Sequence, residues 1–227
     1  MHFLQITTTD SLSTATADNS VSLLDLTLSG GIMMIPLFIL SIVAVYIFIE
    51  RLLILQKASK TPAGLMERVK SLVLNGDIVS ARLLCNQTDT PIARMLEKGI
   101  SRIGSPLKNI EASIENVGKI EIYNLEKNLS LLATVAGAAP MVGFLGTVTG
   151  MIQAFIAIAQ EEGTVSPKLL SGGIYEAMIT TAAGLIVGII AYLAYNYLVA
   201  RVQKLIFSME YSSVEFIDLL QEPDKVR

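Results

Sequence analysis

One carboxylate stands apart from every other charge in this chain. Glu176 is the only Asp, Glu, Lys, Arg or His inside any of the three apolar segments of the 227 residues that are long enough to span a membrane. A charge at the centre of a bilayer costs about 2.5–3.5 kcal/mol on insertion scales. A Leu or Ile returns only about 0.3–0.6 kcal/mol. Several apolar residues must therefore offset it, which makes such a group a functional candidate. The chemistry open to it is binding and release of a proton or small cation, as in a relay. The alternative is an interfacial Glu whose carboxylate reaches external water. Counted back from Arg201, Glu176 lies about 37 Å away along a helix, in the outer part of its span or at its edge.

Hydroxyls and small residues accompany it. Helical spacing sets Glu176, Thr180, Ala183, Val187 and Ala194 on one face, and Thr181, Gly184, Gly188 and Tyr195 on another. Glu176 and Thr181 differ by about 140° on an ideal helix. Either they serve different neighbours or the helix is irregular. An earlier uncharged stretch carries Ala136, Pro140, Gly143, Thr147, Gly150 and Ala154 within roughly 80° of one another. Small residues, Gly146 among them, let helix backbones approach closely. Thr147 is placed to offer its hydroxyl to a polar lumen. Pro140 removes a backbone donor and is expected to kink the helix.

Other chemistry is missing. The sequence has one His, His2, and one Cys, Cys85. That excludes a disulfide framework, a Cys/His zinc site and a Ser-His-Asp or Cys-His arrangement. Gly143, Gly146 and Gly150 lack the Lys-Ser/Thr of a phosphate loop. No catalytic residue, metal or cofactor is expected, and the chain does not read as an enzyme. A net charge of −3 is of the wrong sign for a nucleic-acid binder. Cys85 reads as a small hydrophobe in a reducing compartment.

The elements that must position these groups follow from where charge is absent. Leu26–Ile49, Asn128–Gln160 and Ala177–Ala200 hold 24, 33 and 24 residues without Asp, Glu, Lys or Arg. About 20 apolar residues cross a bilayer as a helix. Three transmembrane helices are expected at residues 31–49, 131–158 and 174–197. The mean hydropathy of +0.58 and a charged share of only 16% agree. Residues 1–30 contain no Lys or Arg, residues 50–127 contain 12, residues 161–173 contain one, and residues 201–227 contain four. The positive-inside rule then makes residues 1–30 an external tail, 50–130 a cytoplasmic domain, 159–173 an external loop and 198–227 a cytoplasmic helix and tail. Without a basic n-region, the first 30 residues read as a tail and not as a signal peptide.

The cytoplasmic part reads helical. Thr61 before Pro62 is an expected cap, with a stripe of Leu65, Val69, Leu72 and Val73 running to Asn75-Gly76-Asp77. Asp77 is expected to cap a helix bearing Ile78, Ala81, Leu84 and Cys85. Pro91 is expected to open another with Ile92, Met95, Leu96 and Ile100. From Pro106 no strong breaker is evident before Gly137, so one helix, from Pro106 to Ala159, is expected to run from the cytoplasm into the second span. The third span is expected to continue towards Leu220. The fold class is an all-α integral membrane protein, two of whose three spans extend into a helical cytoplasmic domain.

Two runs carry a family resemblance. Leu132-Ala133-Thr134-Val135-Ala136 through Ala139-Pro140-Met141-Val142-Gly143-Phe144-Leu145-Gly146-Thr147-Val148-Thr149-Gly150-Met151 resembles the second-span signature of the MotA/TolQ/ExbB proton-channel family. Gly173-Ile174-Tyr175-Glu176-Ala177-Met178-Ile179-Thr180-Thr181-Ala182-Ala183-Gly184-Leu185, followed by Tyr195-Asn196, resembles its third-span signature. The match covers roughly residues 129–196. It implies a multi-pass subunit of the bacterial inner membrane, N-terminus periplasmic and C-terminus cytoplasmic. It further implies a homopentamer in membrane lipid around a single-span ExbD/TolR-type partner, and no nucleic acid. Glu176 falls on the family's third-span Glu, and Thr147 and Thr181 fall on its two threonines. Thr180 stands where many relatives have Ala. Three spans with the N-terminus outside look like the ExbB or TolQ branches, and an external N-terminal tail of about 30 residues leans to ExbB, whose proton-driven motor energises TonB-dependent transport across the outer membrane through a TonB-type protein. The alternatives are a TolQ-like subunit of the Tol-Pal envelope system or a related motor, and, further off, a stand-alone channel or transporter.

Overall fold

The computed structural model describes residues 30–62, 64–160 and 167–221, the last from residue 171 onward with side chains. The expected tail of residues 1–29, the loop residues 161–166 and the last residues 222–227 lie outside the described residues. What is described is helical, with no strand.

Seven helices follow in order among the described residues. They are α1 (Met34–Ala58), α2 (Leu65–Leu74), α3 (Ile78–Gln87), α4 (Pro91–Ile100), α5 (Leu107–Glu126), α6 (Leu129–Gln160) and α7 (Pro167–Gln221). Helices α1, α6 and α7 contain segments long and apolar enough to cross a membrane. The 55 residues of α7 extend over about 80 Å. Its first half packs along α6, and its second half runs on beyond the apolar segment onto α2, α4 and α5.

The short helices bury the stripes their spacing predicts. Leu65, Val69 and Val73 of α2, Ala81 and Cys85 of α3, and Ile92, Met95, Leu96 and Ile100 of α4 are all buried. Val202, Leu205, Met209 and Phe216 of α7 complete that core. Gly99 lets α4 meet it closely: a β-carbon there would lie 2.7 Å from both Ile114 of α5 and Phe216 of α7. Asp77 caps α3, accepting from the Ser80 N–H at 3.0 Å. Thr90 caps α4, with Pro91 at its first position. These caps satisfy amide donors that a helix start leaves orphaned.

Two expectations fail for identifiable reasons. Thr61-Pro62 does not open α2. Gly64 sits in the left-handed region at φ +81, and its carbonyl accepts from the Arg68 N–H at 3.1 Å. A glycine enters that region without steric cost, so the helix starts three residues later than its Thr-Pro signal. Nor does one helix run from Pro106 to Ala159. The chain breaks at Lys127 (ψ 137) and Asn128 (φ 64), between α5 and α6. Asn is among the few residues that tolerate left-handed φ. The break frees the Asn124 carbonyl, which the buried guanidinium of Arg51 takes up at 3.0 Å from α1. Arg51 also donates to Glu50 at 2.7 Å, and the Asn128 amide donates to the other Glu50 oxygen at 3.3 Å. A side chain from α1 thus satisfies the group that the missing turn would have satisfied.

A second polar cluster ties the ends of α1, α4 and α5 together. Arg94 donates to both Glu121 oxygens, at 2.8 and 2.7 Å, and to Asp89 at 2.6 Å. Lys57 reaches the second Asp89 oxygen at 2.7 Å.

Candidate intramembrane carboxylate site

The α6–α7 pair is built by glycine. A β-carbon on Gly143 would lie 2.9 Å from the Thr180 carbonyl, and one on Gly184 would lie 2.6 Å from the Ala139 carbonyl. Gly150 faces Ala177, and Gly173 faces Ala154. Gly146 faces the Thr180 side chain so closely that any β-carbon would strike it. Gly188 receives the ring of Pro140 and lies beside the Ala136 carbonyl. That carbonyl is the one whose helical donor Pro140 removes. The Gly/Pro stripe therefore lines a helix–helix contact, with Gly146 part of it.

The threonines take different partners. Thr181 donates across the helix pair to the Gly143 carbonyl at 3.0 Å. Thr180 is buried and donates to the Ala177 carbonyl of its own helix at 2.9 Å. Thr147 is half-buried and donates to the Phe144 carbonyl at 2.6 Å. None of the three is hydrogen-bonded to Glu176. Thr180, expected on the Glu176 face, is turned to α6 because Gly146 leaves room for it there.

Glu176 points elsewhere. Its half-buried carboxylate lies against Gly31, in the turn that leads into α1. A β-carbon on Gly31 would collide with the Glu176 oxygen, and Gly31 holds a left-handed φ of +62. Both facts demand glycine. Helix α7 is unbroken here, so the roughly 140° between Glu176 and Thr181 resolves as two neighbours: α1 for the carboxylate, α6 for the hydroxyl. Among the described residues the carboxylate has no hydrogen-bond or ion-pair partner, and no group of three His, Cys, Asp or Glu could hold a metal ion. The carboxylate thus sits at the edge of the helix bundle with no salt bridge holding it among the described residues.

Gly31 and Arg51 escaped the sequence reading. Gly31 sits in an apolar run that gives no sign of contact 145 positions away. Arg51 reads as an ordinary charge flanking a span, yet it is 3% exposed.

With this geometry in place, relatives give the class. A profile of the MotA/TolQ/ExbB proton channel family matches residues 87–211, more than half of the chain, and the chain belongs to that family. It is a family of channel subunits and not of enzymes, and its membership agrees with three membrane-spanning helices. Among named relatives, the biopolymer transport protein ExbB of Aquifex aeolicus is 34% identical over 146 residues, covering 64% of this chain and 93% of that one. The biopolymer transport protein ExbB of Neisseria meningitidis serogroup A is 28% identical over 189 residues, 75% of this chain and 84% of that one. The Tol-Pal system protein TolQ of Haemophilus influenzae is 42% identical over 86 residues, 37% of each chain.

Proposed function

We propose that this chain is the proton-conducting subunit of an inner-membrane motor of the ExbB type, and that Glu176 is its titrating group. The observation that carries the reading is Glu176 itself, an unpaired carboxylate in an apolar helix of a proton-channel family member. Thr147 and Thr181 line the path on the α6–α7 side, and Thr180 adds a hydroxyl near it. The glycine and proline stripe holds the two helices together. The N-terminus is periplasmic and the C-terminus cytoplasmic, as the Lys and Arg distribution favours.

The chain works as a pentamer with an ExbD/TolR-type single-span partner. The exposed apolar faces support assembly: only 22%, 22% and 28% of the three apolar windows is buried within the chain. Moving one charge through 100 mV yields about 2.3 kcal/mol. That biases a two-state packing by tens of fold, so mechanical work requires repeated proton steps. The output is energised TonB-dependent uptake across the outer membrane. The ExbB relatives, similar over most of their length, favour this branch. The TolQ relative, with its higher identity over a shorter stretch, supports the Tol-Pal branch as a second reading.

Glu176→Gln at matched expression and assembly tests the reading. Loss of energised uptake of a ferric chelate is expected, while wild-type uptake overturns it. Normal iron uptake in a deletion strain that instead becomes detergent-sensitive assigns the chain to the Tol-Pal branch.

A further inference from the structure

Two cavities lie end to end along the α1–α7 seam. The first, about 310 Å³, is mixed: Leu52, Leu55 and Leu205 form much of its wall, with Arg201 and Lys204 on the α7 side and Ser59 and Thr61 on the α1 side. The second, about 320 Å³, is apolar, walled by Ala44 and Phe48 of α1 and by Ile190 and Ala194 of α7. Tyr197 lines both. The seam crosses the level at which each helix regains charge, Glu50-Arg51 in α1 and Arg201 in α7. The first cavity is thus on the water side of that level and the groove on the hydrocarbon side.

The cations lining the first cavity are uncompensated. Among the described residues neither Arg201 nor Lys204 has a carboxylate partner. Arg201 is held in place instead: its Nε and Nη2 both donate to the Tyr197 hydroxyl, at 3.2 and 2.9 Å. Its guanidinium stands 5.3 Å from that ring's centre. The buried Thr61 hydroxyl has no hydrogen-bond partner among the described residues. An oriented guanidinium, a free ammonium and an unused hydroxyl fit a phosphodiester. A free phosphate would leave the apolar groove unused, whereas a lipid uses both.

We propose that the seam binds one anionic glycerophospholipid. Its phosphate lies between Arg201 and Lys204, and one acyl chain runs up the groove towards Ala44 and Ile190, about 10 Å of helix from Tyr197. The lipid joins α1 to α7 where the contact between them is interrupted by the two cavities. The site needs a membrane and does not depend on the proton pathway, so it stands or falls separately from the role of Glu176.

The test uses the complete complex, purified from membranes in mild detergent. Co-purified lipids are quantified by mass spectrometry, and phosphatidylglycerol, phosphatidylcholine and inorganic phosphate are each titrated while Tm is followed. Wild type is expected to retain about one anionic lipid per chain, and only phosphatidylglycerol is expected to raise Tm. Arg201→Gln with Lys204→Gln is expected to weaken that response about 30-fold. Ala194→Phe keeps both cations but fills the groove, and is expected to abolish retention; Ala194→Val, a smaller filling, serves if the Phe variant does not assemble. Three results overturn the proposal: full retention in the charge variant, a Tm rise with inorganic phosphate alone, or full retention in whichever groove variant assembles.

Discussion

Glu176 and Gly31 form the pair on which the account turns at the scale of residues. Gly31 combines a left-handed φ with a neighbour that admits no β-carbon. Gly31→Ala therefore strains the turn by about 1–2 kcal/mol and pushes the carboxylate aside. The expected outcome is a severalfold loss of proton-driven activity with assembly retained. Glu176→Asp shortens the side chain by one methylene, so it relieves the collision when combined with Gly31→Ala. The double variant should lose less activity than the two single losses predict together, and additive losses would show that the contact does not matter. The sequence disclosed Glu176 because a carboxylate among apolar residues is visible without any structure. Gly31 was not legible, since a contact between the turn before one helix and the third turn of another leaves no periodic trace. Thr180 misled for a related reason: helical spacing gives its face, but the space beside Gly146 decides which neighbour it meets.

At the scale of elements, the structure depends on one close pair and one break. Gly184 meets the Ala139 carbonyl where a β-carbon would stand 2.6 Å away, a contact with backbone that no rotamer relieves. Gly184→Ala is expected to separate α6 from α7 and lower the Tm of the purified protein, with loss of the Thr181–Gly143 hydrogen bond. The break at Lys127–Asn128 depends on Arg51, whose removal leaves the Asn124 carbonyl without its donor and Glu50 with the Asn128 amide alone. Arg51→Met is expected to cost about 1.5–3 kcal/mol, read as lower resistance to thermal unfolding. Apolar periodicity located the helices of the polar domain and their buried faces well, as Val69, Leu96 and Ile100 illustrate. It missed the break because Lys-Asn is a weak stop signal, and the carbonyl it frees is satisfied by a residue 73 positions away.

The whole molecule divides into a polar end that packs on itself and an apolar end that needs company. In the polar end, burial and then Glu97 push the Cys85 thiol up to about 11. It should resist maleimide at pH 7 until the helices unfold. Orientation is better tested with Val79→Cys in a Cys85→Ala background, because residue 79 is 80% exposed. An impermeant maleimide should label it only after permeabilisation. Hydrogen bonding and charge from Lys57, with Arg94 adding to them, hold the Asp89 carboxyl below its ordinary value. Such a group stabilises the fold above its unfolded pKa near 3.9, and loses that contribution as pH falls through the lower folded value. Asp89→Asn should accordingly flatten the acid limb of a stability profile below about pH 4 and change little at pH 7. The three-span layout was legible from charge alone, because a bilayer enforces long uncharged stretches. How the spans meet was not, because apolar faces look alike whether they touch lipid or another helix.

Proton flux tests the central claim without reference to the branch of the family. The chain is reconstituted with its single-span partner in liposomes holding a pH-sensitive dye, and a potential is imposed. The account predicts that wild type acidifies or alkalinises the lumen according to the sign of the potential, and that Glu176→Gln at equal incorporation falls to the rate of empty liposomes. Flux through Glu176→Gln at the wild-type rate would contradict it.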